Sequence, residues 1–251
     1  RSRSRSMESV HAEATACGAR EIVLTGIDIT SYRDRENDLG DLLLSLKDVP
    51  ARIRLGSLEE GIVSREFLEK MKKAGNVCEH FHLSLQSGSD SVLRAMNRRY
   101  TREQYLQACA LIGEFFPDAA VTTDIIVGFP TETEEDFMQS LRIVGEAGLA
   151  RVHAFPYSPR PGTNAARRPP LPDSVKQERM ARMLARAKEA EEAYLSRFAS
   201  RTLTALFESD GGYTSNYIRV YAENAKEGGM YEVTLLERYR DGWHVRIEKE
   251  I

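Results

Sequence analysis

The chain has 251 residues, 41% of them hydrophobic, and a formal net charge of −3. This composition suits a globular protein with one large domain and one small one, and it excludes a uniformly basic nucleic-acid binder while leaving room for a local basic patch. No run approaches the roughly 20 apolar residues of a membrane helix. No secretory signal is visible, and the scattered Cys17, Cys78 and Cys109 form neither a CxxC pattern nor a disulfide framework, so a reducing, cytoplasmic location is expected.

Arg1 to Ser6 (RSRSRS) reads as a solvated arm. Met7 to Gly18 is helical, with Gly18 as its stop. A strand follows at 21–25, then a helix at 39–46 and a second strand at 52–58. Ser64 is the predicted N-cap of a helix that carries Phe67, Leu68 and Met71 on one face and closes at Gly75. A third strand ends at Gln86. Thr101 caps a helix through Tyr105, Ala108 and Ile112. A fourth strand, AVTTDIIV, spans 120–127. Thr133 caps a helix through Phe137, Leu141 and Val144, and RVHAFPY at 151–157 is a fifth strand. Strand starts recur about every 30 residues with a helix between them, the mark of repeated right-handed βαβ units and a parallel sheet. Five units suit an open or partial barrel.

Beyond Tyr157, SPRPG and PPLP are extended loop segments. Asp173 or Ser174 then caps a long helix whose charged side is a solvated face. After Arg201 the period shifts to two, and Gly211-Gly212, Gly228-Gly229 and Asp241-Gly242 read as turns of a small antiparallel β-domain. Closure into a barrel is expected, because open edges on so small a sheet invite aggregation. The domains are therefore 1–172, a linking helix at 173–200, and 201–251.

The third strand is unusual. Phe81, Leu83 and Leu85 form one face, and Cys78, His80, His82, Ser84 and Gln86 form the other. Buried strands of α/β proteins are normally apolar on both faces, so this polar face is expected to meet a ligand. Polar or small residues also stand at the other strand ends, giving Gly26, Ser57, Glu59, Ser84, Gln86, Asp124, Gly128 and Tyr157 as candidates on one rim. Asp124 lies inside an apolar strand, where a lone charge is costly unless a structural donor or a ligand hydroxyl meets it. Gly128 allows backbone to approach a flat ring closely, or is simply a turn. Cys78, His80 and His82 share a face, but successive ones stand about 6.6 Å apart, too far along one strand to meet a single zinc, so packed histidines are expected and no metal. In the small domain Tyr217, Arg219 and Tyr221 alternate with Ile218 and Val220, a strip suited to stacking bases and holding phosphate or to an ordinary solvated face.

EIVLTGIDITSY, RIRLGSLE, HFHLSLQSGSDSVLRAMNRRYT, TDIIVGFPTETEEDF and YSPRPGTNAA resemble, in order, the strand motifs of the radical S-adenosylmethionine (SAM) methylthiotransferases, and SNYIRVY resembles their TRAM domain, a small RNA-binding β-barrel. The resemblance implies a partial (β/α) barrel of the radical-SAM type followed by a TRAM-like antiparallel barrel. LTGIDITSY and RIRLGSLE look most like the branch that methylthiolates adenine C2 of N6-threonylcarbamoyladenosine at tRNA position 37. The alternatives are isopentenyladenosine tRNA or a ribosomal protein as target, and a non-catalytic RNA-binding scaffold. The resemblance implies SAM and [4Fe-4S] clusters as cofactors and tRNA as partner. It makes Glu59 the acid that meets the SAM amino group, with Gly26 in the amino-group loop. Gln86 and Asp124 grip the ribose, Arg98 pairs with the methionine carboxylate, and Gly128 follows the strand beside the adenine. Arg160, Arg167 and Arg168 are candidate RNA contacts beside Tyr217, Arg219 and Tyr221.

The family's CxxxCxxC motif does not occur here, and none of the three cysteines matches a ligand position. RSRSRS resembles the basic tract directly after the cluster loop, so the chain is expected to be a fragment of a longer parent, inactive alone, with no cluster bound. Its first strand is then an exposed barrel edge, and self-association through that edge or capture of the arm across it is expected.

Overall fold

The computed structural model describes residues 3–251; Arg1 and Ser2, the start of the arm, lie outside the described residues. In chain order the elements are α1 (Met7–Ala16), β1 (Glu21–Leu24), α2 (Leu39–Ser45), β2 (Arg52–Leu55), α3 (Arg65–Ala74), β3 (His80–His82), α4 (Asp90–Ala95), α5 (Arg102–Phe115), β4 (Ala120–Val127), α6 (Glu134–Glu146), β5 (Arg151–Pro156), α7 (Asp173–Ser196), then β6 (Thr202–Glu208), β7 (Gly211–Thr214), β8 (Arg219–Tyr221), β9 (Met230–Tyr239) and β10 (Gly242–Glu250). Local chemistry sets the helix starts. The side chains of Ser64, Thr101 and Thr133 each accept a backbone N–H of the first turn, and Gln104 and Asp136 complete capping boxes. Gly75 closes α3 at φ +77°, a left-handed conformation that favours glycine. The long helix departs from expectation: Pro172 is its N-cap, without a side-chain bond, and Asp173 sits in the first turn paired with Lys176 at 2.7 Å.

The first five strands are parallel. β1 pairs with β2, and β3, β4 and β5 form a second ladder. Parallel bridges at Ile53–Val77 and Leu58–Leu83 join the two, so the wall runs β1-β2-β3-β4-β5. The regular part of β3 is short because the Thr123 hydroxyl enters the ladder, accepting from Leu85 N and donating to Leu83 O. Ile53, Leu55, Phe81, Leu83, Leu85, Ile125 and Val127 bury one face of the wall against Leu43, Leu68, Tyr105, Phe137 and Ile143 of the helices. The opposite face is polar, as the alternation along the third strand predicts.

The C-terminal strands form a closed barrel in the order β10-β8-β7-β6-β9. Gly211 and Gly212 lie inside β7 rather than in a turn; Cβ atoms there would meet Val220 O at 2.8 Å and Leu206 O at 2.6 Å, so glycine lets the strands close. The barrel core of Phe207, Val233, Leu235 and Trp243 continues through Tyr194, Leu195 and Phe198 to Ala120 and Ala150. The barrel thus seats on the N-terminal ends of β4 and β5, opposite the rim where the candidate residues stand. The outer edge of β1 pairs with no strand among the described residues. The arm is held by the segment after β1, where Arg33 N donates to Ser4 Oγ (3.0 Å), Tyr32 Oη to Arg5 O (2.9 Å) and Met7 N to Asp34 Oδ2 (2.8 Å). Arg3, Ser4 and Arg5 line one cavity with Ile22, Val23 and Leu24 of β1.

Candidate functional site

The polar face of the wall is layered from floor to rim. At the floor Glu21 accepts from Arg54 Nε (2.9 Å) and Nη2 (3.0 Å) and from Arg52. Burial alone would raise the Glu21 carboxyl, but the two guanidiniums hold it below its ordinary value. Arg52 and Arg54 also donate to the carbonyls of Tyr213, Thr214 and Ser215 of the small barrel. Tyr217 covers this layer. Its ring stacks on His80 at 4.0 Å, with Arg54 and Arg151 at 5.5 and 5.7 Å from its centroid.

Above the floor, the Thr122 hydroxyl touches His80 Nε2 and His82 Nδ1, each at 3.0 Å. His82 Nε2 faces Asp124 Oδ2 at 3.5 Å, and the His82 and His153 ring centroids are 6.0 Å apart. The His82 contact holds the Asp124 carboxyl below its ordinary value. Burial lowers His153, and lowers His80 much further, leaving His80 a neutral ring at pH 7. Asp124 therefore has a structural partner on one oxygen and remains half-buried.

At the rim the loop after β2 brings Glu59 to 3.8 Å from Arg98, which follows α4. Tyr100 ties the segment after α4 to the end of the third strand by donating to Ser84 O (2.8 Å) and Leu85 O (2.9 Å), and burial raises its hydroxyl. Gln86 takes φ +66°, and its backbone still pairs with Asp124 O and Ile126 N. Ser84 is half-buried and Ser57 exposed. Tyr157 packs edge-on against Phe129, and its Oη is buried without a partner. Such an orphan invites a ligand donor or acceptor. Gly26 follows β1 and lines a cavity of about 850 Å³ along its open edge with Val23, Ile29 and Leu42. Gly128 follows β4 in a left-handed turn at φ +79°, the turn reading of that residue, and a Cβ there would lie 2.5 Å from Lys176 Cγ of α7.

The Tyr217-Arg219-Tyr221 strip does not exist as one strand face. Tyr217 takes φ +60° ahead of β8 and turns into the floor. Arg219 is buried, pairs with Asp210 at 2.7 Å and lies 4.7 Å from the Tyr213 ring, while Tyr221 Oη bonds Asp241. Arg160, Arg167 and Arg168 are exposed in the loop before α7. The aromatic–Arg surface on the small barrel is another one: Tyr221 and Tyr239 meet edge to face at 5.2 Å, with Arg240 over both rings. The alternation of Tyr231, Val233 and Leu235 would have put Tyr239 inside; a register shift in the β9–β10 pairing leaves it exposed. Nothing local marked Thr122, His153 or the Glu21 pair.

A five-stranded parallel β/α wall with acid, base, amide and hydroxyl groups at its carboxyl rim, joined to a small closed β-barrel, defines an α/β protein of the partial-barrel class with a polar rim. Residues 1–144 match the family described as the radical SAM superfamily, and the chain belongs to it. It is 37% identical to threonylcarbamoyladenosine tRNA methylthiotransferase MtaB of Thermotoga maritima over 92% of this chain and 56% of that protein. It is 33% identical to the protein of the same name from Bacillus subtilis, over 99% of this chain and 60% of the relative. It is also 38% identical to tRNA-2-methylthio-N(6)-dimethylallyladenosine synthase of Alkaliphilus oremlandii, over 86% and 48%. The chain spans about half the length of these relatives. Among solved structures it resembles Escherichia coli coproporphyrinogen III oxidase, with TM-score 0.57 at 18% identity over 73% of this chain and 44% of that one. It also resembles methylornithine synthase, with TM-score 0.50 at 16% identity over 72% and 52%. These likenesses concern the fold.

The superfamily implies SAM and an iron–sulfur cluster. The residues present do not fit the cluster: among the described residues no three His, Cys, Asp or Glu converge to hold a metal. Cys17 is exposed, while burial pushes the Cys78 and Cys109 thiols up to about 11 and about 12, the reverse of a thiolate ligand.

Proposed function

We propose that this chain is the SAM-holding and RNA-facing part of a tRNA methylthiotransferase acting on adenine C2 of N6-threonylcarbamoyladenosine. The observation that supports it most is the similarity, over nearly the whole chain, to proteins named for that reaction. The rim suits the cofactor. Glu59 offers a carboxylate to an ammonium and Arg98 a planar fork to a carboxylate, 3.8 Å apart. Gln86, Ser84, Ser57 and Asp124 offer partners to ribose hydroxyls, and the orphan Tyr157 Oη a further one. SAM, when bound with its cluster, supplies a radical that abstracts hydrogen; this chain's residues bind and orient it. Arg160, Arg167, Arg168 and Tyr221 are proposed to face tRNA, with Arg240 and Tyr239 beside Tyr221, while Arg219, buried and paired with Asp210, supports the Tyr213 and Tyr221 rings from within the barrel.

A second reading, dimethylallyladenosine as target, is favoured by the 38% identity to a synthase of that name. Nucleoside mass spectrometry of tRNA from a deletion strain decides. Loss of the 2-methylthio mark on threonylcarbamoyladenosine supports the first reading, loss on dimethylallyladenosine the second, and loss of neither overturns both. For the rim, S-adenosylhomocysteine binding followed by calorimetry is expected to weaken about tenfold or more in Glu59→Ala and in Arg98→Ala. Unchanged affinity in both removes the rim assignment.

A further inference from the structure

The floor and the rim are connected by three rings and one hydroxyl, and the protons in that connection have a single favourable order. Thr122 is fully buried and its Oγ1 lies 3.0 Å from both His80 Nε2 and His82 Nδ1. A hydroxyl carries one proton, so it can donate to only one of the two imidazoles and must accept from the other. Two observations choose between the alternatives.

The first is at His82. Its Nε2 faces the Asp124 carboxylate at 3.5 Å. A protonated nitrogen is attracted there, whereas a bare lone pair is repelled. In the neutral ring His82 Nδ1 is then the acceptor, and Thr122 must donate to it. The second is at His80. With Thr122 donating to His82, Thr122 accepts from His80 Nε2–H, and His80 Nδ1 is a bare acceptor. That nitrogen is buried without a partner beneath the Tyr217 ring, with Arg54 and Arg151 flanking the stack. A lone pair beside two guanidiniums is tolerated. In the reverse order an N–H would be stranded there, unbonded and facing like charge, at a larger cost. Both ends of the connection select the same direction.

We propose that Thr122 is a positioning residue of the site: its hydroxyl proton, donated to His82, fixes His82 as the Nε2–H tautomer, which holds one oxygen of Asp124 and leaves the other free for a ligand hydroxyl. Tyr217 keeps the far end dry, so the small barrel takes part in setting the site. The ligand half of this statement rests on the proposed SAM site; the tautomer half does not.

Nitrogen-15 NMR of the imidazole rings in the 251-residue chain tests the tautomer directly, with the five histidines assigned by single substitutions. The expected result is a bare, pyridine-type Nδ1 and a protonated Nε2 for neutral His82. Thr122→Val, which keeps the shape and removes the hydroxyl, is expected to shift His82 to a tautomer mixture, and Thr122→Ser to restore the single form. Tyr217→Ala is expected to move the His80 Nδ1 resonance as water reaches it, and Tyr217→Phe to leave it in place. An Nδ1–H tautomer in the unmodified chain, or no change in Thr122→Val, overturns the proposal. S-adenosylhomocysteine titrated in the same samples reads the consequence: binding weakened roughly tenfold in Thr122→Val and restored in Thr122→Ser supports it. Equal binding in all three overturns the link to Asp124. No binding to the unmodified chain overturns the SAM reading instead, while the ring nitrogens still decide the tautomer.

Discussion

The Tyr217 ring lies flat on the His80 imidazole, with centroids 4.0 Å apart and planes within 3° of parallel. Tyr213 stacks on Tyr217 at 5.0 Å and 12°. A side chain of the small barrel thus forms part of the floor of the β/α wall, although the two units keep separate hydrophobic cores. Truncation should cost about 3 kcal/mol in Tyr217→Ala, through lost stacking and an opened cavity, and under about 0.5 kcal/mol in Tyr217→Phe, which keeps the ring. Urea unfolding followed by fluorescence and circular dichroism measures both. Equal effects of the two substitutions would contradict a role for the ring.

Glu21 bonds two inward-facing guanidiniums of the floor, Arg52 and Arg54. Removing one partner of a buried charge cluster strands the others. Glu21→Gln is expected to lower stability by about 3–5 kcal/mol, read as a shift in denaturation midpoint. A change below about 1 kcal/mol would mean that the small barrel's carbonyls alone satisfy the arginines.

Asp136 ties α4 to α6. Burial would raise its carboxyl, but the hydroxyls of Ser89, Ser91 and Thr133 and the Thr133 N–H bring it down to about 2, from an ordinary 3.8. A folded value below the unfolded one means the stabilisation is complete above the unfolded value and is lost as pH falls from about 3.8 to about 2. Asp136→Asn should therefore cost about 2 kcal/mol at pH 7, and the gap to the unmodified protein should close across that acid window. Denaturant melts at stepped pH report it.

Gly128→Ala combines a left-handed backbone, φ +79°, with a contact to Lys176 Cγ at 2.5 Å. The expected loss is about 2 kcal/mol. Adding Lys176→Ala should recover the steric part and leave the backbone part, so a double-mutant cycle separates them.

The open edge of β1 carries the half-exposed Val23. Concentration-dependent association through that edge is expected in sedimentation experiments on the 251-residue chain, and Val23→Lys should suppress it by placing a charge on the edge. Association unaffected by the substitution would place the interface elsewhere.

Much of the architecture was legible in the order of residues. Helix starts at Ser64, Thr101 and Thr133 and the stop at Gly75 depend on hydrogen bonds within a few residues, which the chain carries locally. The split of the third strand into Phe81-Leu83-Leu85 and His80-His82-Ser84-Gln86 follows from the period of a strand. The position of Glu59, Gln86 and Asp124 at or near strand ends was legible too, because strand ends and loops declare themselves by polarity. The Tyr217 strip misled because alternation assumes an extended backbone; one left-handed residue before β8 sends that ring to the other side. The turn at Gly128 was legible, but its near neighbour Lys176 was not, because that side chain arrives on a helix far along the chain.

The sequence by itself determined the class of fold, the two-faced wall and the period-two barrel, since periodicity and capping are properties of neighbouring residues. Only the tertiary structure decided what each polar side chain faces: Glu21 with Arg54, Ser89 with Asp136, His82 with Thr122 and Asp124, Tyr217 with His80. Those pairings depend on where distant segments return in space, and the strength of a charge or a proton's position depends on the partner and the dryness found there.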